Sequence, residues 1–148
     1  MAVVPVQRYR YKVSLSITHP TMSVERIDEA LKVAADHSGT HGADRFTRRG
    51  SPLPGTNVRS FWLRSLAVPN DDELESFLTS TAEQLELHAE LFDDLAASGG
   101  SARLFIGLFL EEENIVIELP PKLQGRYGRL GVALGFDIYG PERPGDAG

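Results

Sequence analysis

An acidic, leucine-rich segment between residues 65 and 99 limits most strongly what this chain can fold into. It carries nine Asp or Glu residues and no Lys or Arg. Positions on one side recur at alternating steps of four and three, which is typical of a helix with a single buried stripe. The stripe consists of Leu74, Leu78, Thr81, Leu85, His88, Phe92 and Leu95. Such a helix must bury its stripe against a second layer of structure.

The pattern predicts that this helix begins at Asn70 or Asp71 and ends before Gly99 and Gly100. A break into two helices near His88 is an open alternative. Two shorter helices are also predicted. Ser23 begins one that Gly39 stops, with Met22 packing on Ile27 across the cap, and Pro120 and Pro121 open another that runs to about Leu130.

Alternating apolar and polar residues predict the strands of the second layer. Residues 11–18 place Tyr11, Val13, Leu15 and Ile17 on one face. The runs "ARLFIGLFL" and "NIVIEL" flank an acidic turn and predict a hairpin, and "VALGFDIYG" predicts the last strand. We interpret His88, on the helix stripe, as a buried and hydrogen-bonded side chain rather than a catalytic base.

The segment "RFTRRGSPLPGTNVRSFWLRS" is basic and rich in turn residues. Strands at 44–47 and 58–65 are predicted at its ends, joined by a loop. Bulky apolar side chains on both faces of the second strand predict that Trp62 lies in the core, rather than serving as an exposed stacking platform. The five arginines of residues 44–64 face an acidic helix, so intramolecular charge pairing is the simplest expectation.

The chain has 148 residues, the size of one domain. The fold class predicted from the element order is α+β: a two-layer sandwich with a mainly antiparallel sheet and helices on one face, ferredoxin-like at its start. We expect a single domain over residues 1–148, with an ordered core at about 9–140 and a disordered tail at 141–148.

Composition narrows the function classes. The chain has no cysteine, which rules out disulfides and thiolate chemistry and fits the cytoplasm. A net charge of −6 argues against nucleic acid as a partner, and the sequence predicts neither a membrane span nor a cofactor.

Two groups of residues are candidates for a site. His37 and His41 are four residues apart in "DHSGTHGAD", but Gly39 and Gly42 argue against a helix there, so a polar turn is expected and no metal site is predicted. The second candidate is an anion pocket. It would combine His19, the N-terminus of the helix at Ser23, and the loop residues Arg48, Arg49 and Gly50.

The order and spacing of several motifs resemble a bacterial family known as domain of unknown function 4279. The similarity rests on "SITHP", on a run containing Gly42, Arg45, Thr47, Arg49, Gly50, Pro52, Leu53, Gly55 and Trp62, on the acidic helix, and on "GFDIYG". It covers roughly residues 11–140. The resemblance implies one complete domain and brings no catalytic residue and no assigned reaction.

Two functions compete at this point. The first is a non-enzymatic binding or protein-interaction module, favoured because no nucleophile and base pattern is found. The alternative is a small hydrolase or transferase that acts on an anionic metabolite, with His19 as acid and base and Arg49 as clamp. The partner is accordingly an unknown protein or a small anionic ligand.

Overall fold

The structure is a computed structural model and describes residues 8–69 and 73–142. Its elements in chain order are β1 (Tyr9–His19), α1 (Val24–Leu31), β2 (His37–Gly39), β3 (Asp44–Phe46), β4 (Pro52–Thr56), β5 (Ser60–Leu66), α2 (Leu74–Glu86), α3 (Ala89–Ala97), β6 (Ser101–Leu110), α4 (Pro121–Leu130) and β7 (Val132–Tyr139). No helix in these two ranges is long and apolar enough to cross a membrane.

Five strands form one sheet in the order β2-β5-β1-β6-β7, and β3 and β4 form a separate two-stranded ribbon. Among the strands of the described residues, β6 and β7 alone pair in parallel, and helix α4 connects them. Strands β1 and β2 both run antiparallel to β5, which lies between them. This is a split β-α-β unit, so the prediction of an antiparallel α+β sandwich that starts in a ferredoxin-like way is confirmed.

The core lies between the sheet and the helices. Alternate residues of β1 are buried on that side, and Ile17 is fully buried opposite Trp62 on β5. Trp62 is only 1% exposed, and its indole N–H donates to Asp28 Oδ1 on α1 at 2.7 Å. The prediction that Trp62 lies in the core is confirmed.

The acidic segment forms two helices rather than one. α2 ends at Glu86, a turn at Leu87 and His88 follows, and α3 begins at Ala89. The alternative of a break near His88 is therefore confirmed. His88 itself is half-buried at the start of α3 rather than buried as predicted. The predicted caps Asn70 and Asp71 lie outside the described residues, as do residues 143–148 of the predicted tail.

The two strands predicted at the ends of the basic segment are present as β3 and β5, but they do not pair with each other. β5 does not pair with residues 44–47 but joins the main sheet beside β1, where it buries Trp62. The predicted loop supplies β4, which pairs with β3 instead. Gly55 has a positive φ of 82° within β4, where the register of the ribbon shifts between the pairs Asp44–Thr56 and Arg45–Leu53.

The predicted hairpin of 102–110 with 114–119 is also wrong. Residues 113–119 adopt no regular secondary structure. Both edges of β6 are already paired, one with β1 and one with β7, so no edge is left for a further strand. In this irregular segment Ile117 and Leu119 pack against the core, whereas Val116 is exposed.

The first helix ends earlier than predicted. α1 stops at Leu31, where Lys32 adopts a left-handed conformation with φ of 59°. Gly39 lies in β2 instead, and a Cβ there would meet Asn57 and Phe61 at 2.6 and 2.7 Å. The glycine is needed for close packing rather than to end a helix.

Candidate functional site

The face of the five-stranded sheet that points away from the helices, here called the open face, carries a different set of side chains from the core side. Large aliphatic residues are few on its three best-exposed strands β1, β6 and β7. The members on these strands are Arg10, Lys12, Ser14, Ser16, Thr18, Ser101, Arg103, Phe105, Gly107, Phe109, Ala133, Gly135, Asp137 and Tyr139. Small, aromatic and basic side chains thus share one surface.

A groove of about 540 Å³ lies on the open face, and we call it the aromatic groove. Its volume falls in the range of small-molecule sites. It is lined mainly by Lys12, Ser14, Arg48, Ser65, Phe105, Gly107, Phe109, Asp137 and Tyr139. A smaller cleft of about 270 Å³ lies on the same face beside Ser16, Thr18 and Arg103.

Aromatic rings and cations alternate in and beside this groove. The rings of Phe109 and Tyr139 are stacked, with centroids 5.0 Å apart and planes within 5°. Lys12 Nζ lies 5.9 Å from the centroid of Phe109, and the guanidinium of Arg103 lies 5.1 Å from that of Phe105. These distances are within the range of cation–π contacts.

Asp137 is the acidic side chain among the groove residues. It accepts a hydrogen bond of 2.6 Å from the hydroxyl of Tyr139. This bond and the nearby negative charge raise the pKa of Tyr139, so the phenol stays protonated at neutral pH. This hydrogen bond therefore helps to hold the Tyr139 ring in place against Phe109.

The turn of the β3–β4 ribbon brings Arg48 to the groove. Thr47 closes the turn, since its N–H donates to Ser51 O at 2.8 Å and its carbonyl accepts from Gly50 N at 2.9 Å. Gly50 has a φ of 86°, which glycine adopts without strain. The basic turn predicted from sequence is thus built by Thr47 and Gly50, and Arg48 reaches the open face.

The acidic helices do not neutralise this basic segment. Asp94 on α3 pairs with Arg26 at 2.8 Å, and Glu86 on α2 pairs with Arg126. Among the residues that the structure describes, no ion pair joins a carboxylate to an arginine of 44–64. The expected charge pairing within the chain is therefore not found there.

His19 lies on the opposite, helix-covered face and is 4% exposed. Its Nδ1 accepts hydrogen bonds from the backbone N–H groups of Thr21 and Met22, at 2.9 and 2.7 Å. Nε2 lies 2.7 Å from Ser98 Oγ, and that hydroxyl donates to Asp94 O. Nδ1 as acceptor fixes the neutral tautomer with the proton on Nε2.

Burial lowers the pKa of His19, and the charges of Arg59 and Arg26 lower it further. Both ring nitrogens are engaged inside the protein. The imidazole therefore organises the turn between β1 and α1 and links it to the end of α3.

Of the five residues predicted to form one anion pocket, His19 and Ser23 lie at the turn between β1 and α1, and Arg48, Arg49 and Gly50 lie in the ribbon turn. Ser23 is at the N-cap position of α1 without a side-chain cap, and the adjacent N–H of Val24 donates to Thr40 Oγ1 at 3.1 Å. Arg49 and Gly50 are exposed in the ribbon turn. Arg48 lines the aromatic groove, on the other side of the sheet from His19.

The two histidines of "DHSGTHGAD" lie in different environments. His37 lies in β2, with its ring 4.8 Å from that of Phe61, and the side chain of His41 is exposed. Within residues 8–69 and 73–142 there is no group of three or more His, Cys, Asp or Glu residues that could hold a metal ion.

A second concavity, here called the apolar groove, has a volume of about 650 Å³ and lies between β7 and the segment 113–119. Aliphatic residues and Phe136 dominate it, with Glu113, Asn114 and Gln124 as polar members. Ile138 is 59% exposed beside the free edge of β7. Its chemistry differs from that of the aromatic groove in having no cation.

Of the residues that line the aromatic groove, Arg48 is the one that the sequence predicted as part of a site. "LFIGLF" holds a usable signal, because Phe105, Gly107 and Phe109 occupy the alternate positions opposite the buried Leu104, Ile106 and Leu108. A strand with aromatic residues and glycine on its second face is a candidate binding surface.

Comparison with known proteins identifies a family for this chain but does not assign it an activity. The model of the family described as a domain of unknown function, DUF4279, matches residues 9–141. Neither a curated protein nor a solved structure matched the chain. The matched range contains every strand and helix described above. The chain therefore belongs to the DUF4279 family.

Proposed function

We propose that this chain is a non-enzymatic binding module and that the open face of its sheet is the binding surface. The observation that supports this most is the aromatic groove itself. It combines stacked rings, uncovered sheet and unneutralised cations in a space of small-molecule size.

A catalytic role finds less support in the chemistry of the groove. General acid–base work at neutral pH needs a group that gains and loses a proton near that pH. The groove offers Lys12, Arg48, Asp137 and a phenol whose pKa is raised. His19, the residue favoured for this role by sequence, is buried on the other face with both nitrogens bonded.

We also expect this module to act in the bacterial cytoplasm, on the family resemblance and the absence of cysteine. Nucleic acid is not the expected partner, because the cations of the groove are few and the chain carries a net charge of −6.

A mixed small-molecule screen tests the binding surface without assuming a ligand. Neutral, anionic, planar and aliphatic compounds are added to labelled protein, and amide NMR shifts locate any binding. Gly107→Leu provides a blocked variant, because the added side chain would project onto the groove floor. Binders are expected to shift open-face amides and to lose affinity at least tenfold in Gly107→Leu.

Gly128→Leu is the matched control, since a Cβ at Gly128 on α4 meets no atom within 4 Å. The proposal is wrong if the binders affect both variants equally, or if they shift amides of the apolar groove instead. Turnover of a compound at the open face would also contradict it.

A further inference from the structure

Two glycines on the floor of the open face are not explained by the fold. Gly107 lies within β6, and Gly135 lies within β7 opposite Phe105. Glycine inside a strand costs roughly 0.5–1 kcal/mol relative to alanine. A fold tolerates that cost where packing or backbone conformation demands it, or where another molecule approaches closely.

Neither structural demand applies at these two positions. A Cβ at Gly107 would meet its nearest neighbour, the Phe109 ring, at 3.5 Å, and one at Gly135 would meet Phe105 at 3.8 Å. Both are ordinary van der Waals distances. Neither glycine is among those with a positive φ.

Gly100, by contrast, is a glycine that close packing requires. A Cβ there would lie 2.9 Å from His19 and 3.0 Å from the carbonyl oxygen of Leu95. That glycine is required by packing, whereas a Cβ at Gly107 or Gly135 would make only ordinary contacts. Of these two glycines, Gly107 lines the aromatic groove and leaves its backbone uncovered by a side chain of its own.

Aromatic rings bound this flat patch along β6. Phe105 and Phe109 stand two residues before and after Gly107, so their Cα atoms are separated by roughly 13 Å at the usual strand rise. The ring of Phe109 leans toward Gly107 and is backed by Tyr139. A planar ring system can lie on the glycine floor and contact aromatic surface at its margin.

Cations exceed anions around the same patch. Lys12, Arg48 and Arg103 have no carboxylate partner among residues 8–69 and 73–142, while Arg10 pairs with Glu111 at 3.6 Å. The acidic member, Asp137, is bonded to Tyr139. This local excess of positive charge stands out in a chain with a net charge of −6.

From these features we infer that the aromatic groove binds a small molecule with a planar ring and an anionic group, such as a carboxylate, sulfonate or phosphate. The ring lies over Gly107, between Phe105 and Phe109, and the anion is held by Lys12 and Arg48. This inference rests on the proposed binding function and specifies its ligand class.

Three related compounds measure separately what the planar ring and the anionic group contribute to affinity. 2-Naphthoate has both a flat ring and a charge, 2-naphthalenemethanol has the ring alone, and cyclohexanecarboxylate has the charge alone. Each is titrated into labelled protein while amide shifts are followed. We expect 2-naphthoate to shift the amides around Gly107 and to bind at least tenfold more tightly than either analogue.

Substitutions test which residues of the groove recognise the ring and which recognise the anionic group. Arg48→Gln and Lys12→Gln should each weaken 2-naphthoate by about tenfold, the scale of one charge-assisted hydrogen bond, and leave 2-naphthalenemethanol unchanged. Gly107→Leu should abolish binding of both ring compounds. Gly128→Leu should bind like the natural chain, and unfolding curves should confirm that all variants are folded.

The outcomes separate this inference from the proposed function. Equal affinity for all three probes at the open face, or no shift at Gly107 with millimolar 2-naphthoate, overturns the planar-anion ligand. If other compounds in the mixed screen still need an unblocked Gly107, the binding function stands with a different ligand. Shifts confined to the apolar groove overturn both.

Discussion

The two faces of the sheet differ in what their side chains do for the fold. On β1, Val13, Leu15 and Ile17 are buried beneath the helices, while Ser14 and Ser16 alternate with them on the open face. On β6 the same contrast recurs between Leu104 and Ile106 on one side and Gly107 on the other. One strand therefore supplies both a packed core and a surface that packing alone does not explain.

This contrast separates stability from recognition. Core residues are large because apolar burial holds the two layers together. Open-face residues can change without opening a cavity, so their identity is available for contact with another molecule. Substitutions on the helix-covered face should consequently lower the free energy of unfolding. Substitutions on the open face should instead weaken ligand binding.

The largest effect is expected at Trp62. Trp62→Ala should lower the free energy of unfolding by roughly 3–5 kcal/mol, because it removes a fully buried ring and leaves a cavity. It also removes the indole hydrogen bond to Asp28. Denaturant unfolding curves measure the difference.

Phe109→Ala is the matched control on the open face, where the ring is only partly buried. Its loss of stability should be clearly smaller than that of Trp62→Ala. Because Trp62 is the only tryptophan, its fluorescence gives an independent check. An emission maximum as far to the red as that of the unfolded chain would contradict its burial.

A smaller effect is expected from paired glycine substitutions. Gly100→Ala should destabilise the fold by roughly 1–3 kcal/mol, because the new methyl would crowd His19 and two backbone carbonyl oxygens. Gly107→Ala should be neutral or slightly stabilising, because its methyl fits at ordinary distances and restricts the unfolded chain. Thermal and denaturant unfolding of both variants compare the two sites directly.

The opposite ranking of these variants would show that Gly107 is structural after all. In that case Gly107 would need no ligand to explain it, and a planar ring would no longer be the expected occupant of the aromatic groove.

Local patterns were sufficient to predict the elements that bury one continuous stripe. The alternation of 11–18 identified β1, the bulky groups around Trp62 identified a core strand, and Pro121 and Gly131 bound the last helix as expected. These features depend on neighbours within a few residues, and the hydrophobic period reports them.

The candidate site was mostly hidden because it depends on which strands become neighbours. The pairing of β6 with β7 in parallel brings Tyr139 onto Phe109, and no local pattern fixes that pairing. The failed prediction for 114–119 has the same origin, since it assigned to that segment the edge of β6 that β7 occupies. Arg48 reached the groove only through the unpredicted pairing of β3 with β4.

His19 illustrates how a tertiary partner changes the chemistry of a residue. From sequence it follows a strand and precedes a helix, where an exposed acid or base is plausible. In the fold, Ser98 from the end of α3 meets its Nε2, and 79 positions separate the two residues. The imidazole is thereby committed to the neutral form within the structure.

The smallest of these effects is a pH dependence of stability that arises from His19. In the folded state its pKa lies below the ordinary value of 6.5, first because of burial and then because of Arg59 and Arg26. Below about pH 6.5 the unfolded chain therefore binds a proton that the folded chain resists. Stability should be fully present above that pH and decline as the pH falls toward the folded pKa.

Unfolding free energies measured between pH 7.5 and roughly pH 5, above the usual carboxylate range, isolate this contribution. His19→Asn should flatten the decline, because the amide oxygen can still accept from the backbone N–H groups of Thr21 and Met22 but does not titrate. His41→Asn is the control, since that side chain is exposed and should leave the decline intact. A decline that persists in His19→Asn and disappears in His41→Asn would refute the assignment to the buried imidazole. Loss of the decline with His19 alone would show that this histidine serves the helix-covered face as a structural, neutral base.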